Sequence, residues 1–228
     1  IYGKPRMKSN LAFMRAARKI LLLRQRLQTW MLRNANGLPT TGRNRTRNKN
    51  KMEDFNFCLD LNDDQWAREY IDHDRQIARA IVFDDEGFFY FMRAVRDDDF
   101  GKATIIETSG GGVEKGEDLQ AAVCRELKEE LGAEVEIICK IGVVNDFYNL
   151  IHRHNINNYF LCKAVAFGEK NLMPDEIEKF HLSTLKLNFA DAVEEYKKRA
   201  ETKLGKLICR RELPVLLKAR EILNQSAQ

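Results

Sequence analysis

From Glu53 onward, apolar and polar positions follow two rhythms. IARAIVFDD (77–85) and FFYFMRAVR (88–96) are β-branched and aromatic runs on either side of an Asp-Asp-Glu-Gly turn, and they predict a hairpin. ATIIETS (103–109) predicts a short strand running into three glycines, whose backbone bends tightly. Leu119 to Leu131 repeats apolar residues at helical spacing, and Gly132 is its stop signal. VEIICKIGVV (135–144) and NYFLCKAVAF (158–167) predict strands, and STLKLN (183–188) a weaker one. FADAVEEYKKRA (189–200) and RELPVLLKAREIL (211–223) predict helices, the second with Pro214 in its first turn, where a missing N–H is tolerated. No internal repeat is present. Strands and helices alternate irregularly, and the hairpin is not a βαβ unit. The expected class is therefore mixed α/β (α+β), an α/β/α sandwich with a mixed sheet and helices on both faces.

The first 52 residues follow another rhythm. Phe13, Ala17, Ile20, Leu23, Leu27, Trp30 and Met31 recur at helical spacing, with arginines mostly on the opposite face. A basic, turn-rich stretch without periodicity follows and reads as a linker. Charge sharpens the division. Residues 1–52 hold 14 of the 38 Lys and Arg and none of the 34 acids. The expected organisation is a basic extension at 1–52 and one domain at 53–228. An acid-free amphipathic start resembles an organelle transit peptide, a membrane-surface helix or a nucleic-acid arm. The initial Ile and the abrupt change at Met52 equally suit sequence foreign to the domain. The expected location is cytoplasmic, or an organelle if the extension is native.

Composition excludes some classes. There is no run of 18 apolar residues, so no membrane-spanning helix is expected. The five cysteines include no CxxC pair, which argues against a disulfide framework or a zinc site and for reduced, mostly buried thiols. The acidic balance of 53–228 argues against nucleic acid as a partner for the domain itself.

The chemistry concentrates in SGGGVEKGEDLQAAVCRELKEELGAEV (109–135). Glu126, Glu129 and Glu130 share one helical face. Three adjacent carboxylates repel unless something positive lies among them, and hard oxygen ligands suit Mg²⁺ or Mn²⁺. The glycines let backbone approach a ligand or ion. Arg125 points to a neighbouring face, where it can pair with Glu117 and clamp the loop to the helix. Seen alone, a Glu-x-x-Glu-Glu run is most often just a solvated helix face.

Gly111, Glu117, Arg125-Glu126-Leu127, Glu129-Glu130 and Gly132 match the signature G-x5-E-x7-R-E-U-x-E-E-x-G-U, U being aliphatic, and so this stretch resembles the Nudix hydrolases. Only Ala133 departs, where a bulkier aliphatic is usual. A chance match of the seven fixed letters is of order 10⁻⁶ at average composition. The resemblance implies hydrolysis of a diphosphate linkage in a nucleoside diphosphate joined to another group. It implies Glu126, Glu129 and Glu130 as metal ligands, the Gly110 carbonyl as a further ligand, and structural roles for Gly111, Glu117, Arg125 and Gly132. The base is a helix glutamate such as Glu126 or an acid of the 168–180 loop, Glu178 or Glu176 being preferred over Glu169. Arg93, or Arg96 on the same strand, Arg153 and Tyr148 or Phe147 are the candidate substrate contacts. His152 and His154 read as polar surface rather than a metal pair. Glu107 in IET resembles the form found in ADP-sugar members, so ADP-ribose or a nucleotide sugar is the expected substrate. A nucleoside triphosphate-sanitising enzyme and a nucleotide-sensing module that does not cleave are the alternatives. The last helix packs on the sheet or on a second subunit, the latter giving a homodimer.

Overall fold

A computed structural model describes residues 52–226. The expectations for the basic helix, the linker and the extension fall on residues outside those described. Strands β1 (Asp54–Leu61), β2 (His73–Phe83), β3 (Phe89–Asp98), β4 (Gly101–Glu107) and β5 (Ser109–Gly112) come first. Helix α1 (Leu119–Leu131) follows, then β6 (Ala133–Tyr148), a 3-10 turn (Asn149–Ile151) and β7 (Arg153–Phe167). The chain ends with α2 (Pro174–Glu178), β8 (Ser183–Leu187), α3 (Phe189–Arg199) and α4 (Lys203–Ser226).

The sheet runs β1-β6-β7-β2-β3-β4, with β5 added to β2 and β8 to β3. It is mixed, as expected: β1–β6 and β2–β7 are parallel and the other pairs antiparallel. Alternation along the strands sends side chains to two apolar layers. Ile81, Tyr159 and Leu161 join Tyr196 of α3 and the buried stripe of α4. Ala80, Val82, Phe160 and Cys162 join Ala122, Val123, Leu127 and Leu131 of α1. Helices therefore cover both faces, and the sandwich is the architecture found.

α1 has the bounds its pattern predicts. The Asp118 carboxylate caps it, accepting from the N–H groups of Gln120 and Ala121, and Gly132 closes it at φ 66°.

Four expectations are corrected. The glycines do not form a loop: Ser109–Gly112 is a strand lying antiparallel on β2 from Ile77 to Ala80. β6 and β7 are longer than 135–144 and 158–167 and stay paired out to Tyr148 and Arg153, so the expected loop shrinks to a 3-10 turn. α4 begins at Lys203, not 211, which puts Pro214 inside the helix. Leu204, Leu207, Ile208, Val215, Leu216, Ala219 and Ile222 make the buried stripe that holds it there. Finally, of the five free thiols only Cys139 and Cys162 are buried. β1, unforeseen, alternates partly buried Phe55, Phe57, Leu59 and Leu61 with exposed Asn56, Cys58 and Asp60 along the β6 edge.

Candidate active site

The site is built where β5 passes under α1. Gly110 has φ 141°, and a Cβ on it would lie 2.2 Å from the Ala78 carbonyl oxygen, so only glycine lets this backbone lie on β2. A Cβ on Gly111 would lie 2.5 Å from Glu126 Oε1. The glycines thus provide the close approach of strand to acidic helix.

Arg125 ties the segment together. Its Nε donates to Glu117 Oε1 at 2.9 Å and its Nη2 to Glu117 Oε2 at 3.0 Å, a two-point fork. Nη2 also donates to the Gly112 carbonyl at 3.0 Å, while Nη1 reaches Glu126 at 2.8 Å and Glu129 at 3.4 Å. The guanidinium is therefore the positive charge among the carboxylates. Hydrogen bonding from Arg125 holds the Glu117 carboxyl down at about 2. Arg125 itself is held above its ordinary value, chiefly by Glu117.

Glu130 is anchored on the opposite side. Ser109 Oγ and the Gly110 N–H, the latter at 3.0 Å, both donate to its Oε2. Burial pushes its carboxyl up to about 7, against the pull of those donors and of Arg79. Burial also raises Glu126, opposed by Arg125 and aided by Glu129 and Glu176. In both, burial outweighs the pull of the nearby arginines and leaves the ionised form under-compensated, which suits a site that takes a cation. Among the described residues, no three His, Cys, Asp or Glu side chains converge closely enough to form a preformed metal cage. The donor chemistry nonetheless fits a hard divalent ion, since Glu126, Glu129 and Glu130 offer only oxygens along one helix face.

Beside Glu130 opens a cleft of about 160 Å³, lined by Gly110, Arg79, Arg96, Glu176, Phe180 and Leu182 among others. The Arg96 guanidinium lies 4.9 Å above the Phe180 ring and pairs with Asp98.

A model of the NUDIX domain matches residues 73–203, more than half of the chain, and the box lies inside that span. The chain belongs to the Nudix family. This Nudix hydrolase shares its fold with a NUDIX hydrolase from Nitrosomonas europaea, at 13% identity and a TM-score of 0.50, over 68% of this chain and 92% of that one. A MutT NUDIX hydrolase from Burkholderia pseudomallei is 23% identical, with a TM-score of 0.41, over 52% and 86% of the two chains. A UDP-X diphosphatase aligns at 14% identity and a TM-score of 0.45, over 67% and 66%. No curated protein matches significantly.

Contacts through Arg125, Glu126 and Glu130 link Gly110, Gly111, Glu117, Arg125, Glu126, Glu129 and Glu130, whereas Gly132 caps the far end of the helix, against the Gly168 backbone. The other sequence candidates are scattered. Glu176 lines the cleft, whereas Glu178 is exposed and outside it. Met92, Ala94 and Arg96 line the cleft, so alternation turns Arg93 to the opposite strand face. Tyr148 is 6% exposed and its hydroxyl accepts from Arg211 Nη1 at 2.8 Å, which makes it a packing residue and corrects the expectation that it stacks on a base. Phe147 is stacked on His154 at 4.6 Å, with Arg68 over its ring. Arg153 is partly buried above the Tyr148 ring, 5.8 Å away, and burial lowers its basicity. Sequence reasoning passed over Arg79, which donates to the Thr108 carbonyl at 2.9 Å and pairs with Glu107 at 3.3 Å beside the cleft. A cation in the middle of an apolar strand run was the available signal.

Proposed function

We propose that this Nudix hydrolase cleaves the diphosphate linkage of a nucleoside diphosphate joined to a second group, ADP-ribose or a nucleotide sugar, with Mg²⁺ or Mn²⁺. One observation carries the reading. Glu130, fixed through one oxygen by Ser109 and Gly110, stands at the junction of the acidic helix face and a cleft that adds two arginines. Glu126, Glu129 and Glu130, with the Gly110 carbonyl, would hold the metal, and Glu130 Oε1 is the oxygen its anchors leave for that purpose. A bound divalent ion would neutralise phosphate oxygens and orient a water for in-line attack.

The chain's own residues supply the rest. Arg125 keeps the glycine backbone and the acidic helix in one geometry, so that the carboxylates are already in place. Arg79 and Arg96 bring positive charge to the cleft, whose other charged side chains, Glu107, Glu130 and Glu176, are acids. Met92, Ala94, Leu182 and Phe180 give the cleft an apolar wall against which a ring could pack. We assign the proton of the attacking water to Glu176, which lines the cleft, in preference to exposed Glu178. Hydrolysis then adds the water oxygen to one phosphorus and breaks its bond to the bridging oxygen, giving two monophosphates.

The test is a panel of nucleoside diphosphate sugars, ADP-ribose and nucleoside triphosphates incubated with the purified chain and either metal, with products identified. Two monophosphates from a diphosphate derivative support the reading. Pyrophosphate released from triphosphates alone would make it a sanitising enzyme. A panel left uncut would make it a sensing module.

A further inference from the structure

The buried stripe of α4 is interrupted by two ionic residues, Arg211 at 1% exposure and Glu212 at 0%. They lie beyond the NUDIX match, which ends at residue 203. A buried ion pair contributes little net stability compared with apolar residues of similar size. The use of this one lies in what its carboxylate holds.

Glu212 accepts five hydrogen bonds. Oε2 takes the Thr108 N–H at 2.5 Å and the Tyr196 hydroxyl at 2.7 Å. Oε1 takes the Thr108 hydroxyl at 2.9 Å, Arg211 Nη2 at 2.9 Å and the Tyr159 hydroxyl at 3.4 Å. Thr108 is the single residue between β4 and β5 and belongs to neither strand. Buried backbone groups there need partners from outside the sheet. Glu212 satisfies its N–H, and Arg79 satisfies its carbonyl. All three polar atoms of Thr108 are thereby fixed. The next two residues, Ser109 and Gly110, are the two that hold Glu130.

We infer that Glu212 is a positioning residue for the metal-binding carboxylate Glu130, acting through Thr108. The inference rests on the proposed metal role of Glu130. Groups that orient a metal ligand typically contribute tenfold or more to metal affinity, and a partner one residue further out belongs at the low end of that range.

Mn²⁺ binding, followed by the electron paramagnetic resonance signal of the free ion, tests this without any substrate. E212Q keeps the side-chain shape and removes the charge. T108V removes only the hydroxyl donor. Y196F removes a donor to the same carboxylate that has no connection to Ser109. The expected result is Mn²⁺ affinity weakened about tenfold in E212Q and less in T108V. Y196F should lower the melting temperature yet bind Mn²⁺ as the parent does. In steady state, the two weakened variants should need more Mn²⁺ for half-maximal rate, with kcat recovering at saturation. Parent-like affinity in both E212Q and T108V would overturn the inference, as would an equal loss in Y196F. If E212Q does not fold, T108V decides alone. A parent chain that binds no Mn²⁺ would instead remove the metal reading of Glu130, and this inference with it.

Discussion

In the presence of a chelator, E130Q should abolish a pH dependence of stability that the parent shows. Burial raises the Glu130 carboxyl from 4.5 to about 7. Between those values the unfolded chain has released a proton that the folded chain still holds. Stability contributed by the protonated carboxyl is therefore present below pH 4.5, falls as pH rises through the window, and is gone above about 7. The full displacement corresponds to about 3 kcal/mol. For a domain of this size that is about 6–12 °C in melting temperature. The amide that E130Q introduces resembles the protonated acid at every pH. Melts in EDTA from pH 5 to 8 should therefore start nearly together and diverge, with E130Q the more stable at pH 8. Adding Mg²⁺ or Mn²⁺ should close the gap by raising the parent, because the ion favours the ionised carboxylate. Parallel curves for parent and E130Q across the range would refute the reasoning.

The other expectations concern the supports of the site. G110A should cost about 2–4 kcal/mol, because its Cβ meets backbone at a φ that side chains rarely adopt, whereas G111A presses only on the movable end of Glu126. G111A should thus melt near the parent while losing at least tenfold in kcat, and the reverse ranking would contradict the geometry. E176Q should lower kcat by roughly 10²–10⁴ if Glu176 takes the proton, with E178Q close to the parent, and a pH–rate profile of both variants checks the assignment. R125K should lower stability by about 1 kcal/mol, since an ammonium cannot form the fork to Glu117 and also reach Gly112, and equal denaturant midpoints would show the fork to be idle.

The box was legible because its spacing is local. Helical periodicity put Glu126, Glu129 and Glu130 on one face, and the loop charge at Glu117 had an obvious partner in Arg125. The helix bounds were equally plain, with Asp118 at one end and Gly132 at the other. Phe55, Phe57, Leu59 and Leu61 alternate in the manner of a strand, so β1 was legible, although its partner β6 lies far along the chain and its neighbour in sequence is a basic stretch without periodicity. Other features depend on contacts distant in sequence. Three glycines read as a bend until β2 offers them a ladder. Tyr148 and Arg153 look like loop residues until the β6–β7 pairing extends to both. Pro214 reads as a helix start because a proline is costly inside one, and only the apolar stripe from Leu204 to Ile222 outweighs that cost. The Arg211–Glu212 pair looks like ordinary helix surface, since nothing local reveals that Thr108, Tyr159 and Tyr196 converge on it.

The bond between Thr108 and Glu212 also bears on how the chain is made. The two residues stand 104 positions apart. A ribosome releases the glycines and the acidic helix well before it releases the carboxylate that fixes the residue preceding them. During that interval the Thr108 N–H and hydroxyl have no Glu212 to accept them, and domains of this kind are exposed to misassembly while incomplete. Nascent chains stalled before residue 212 should therefore be cut by protease near the β4–β5 junction, and those released beyond α4 should resist.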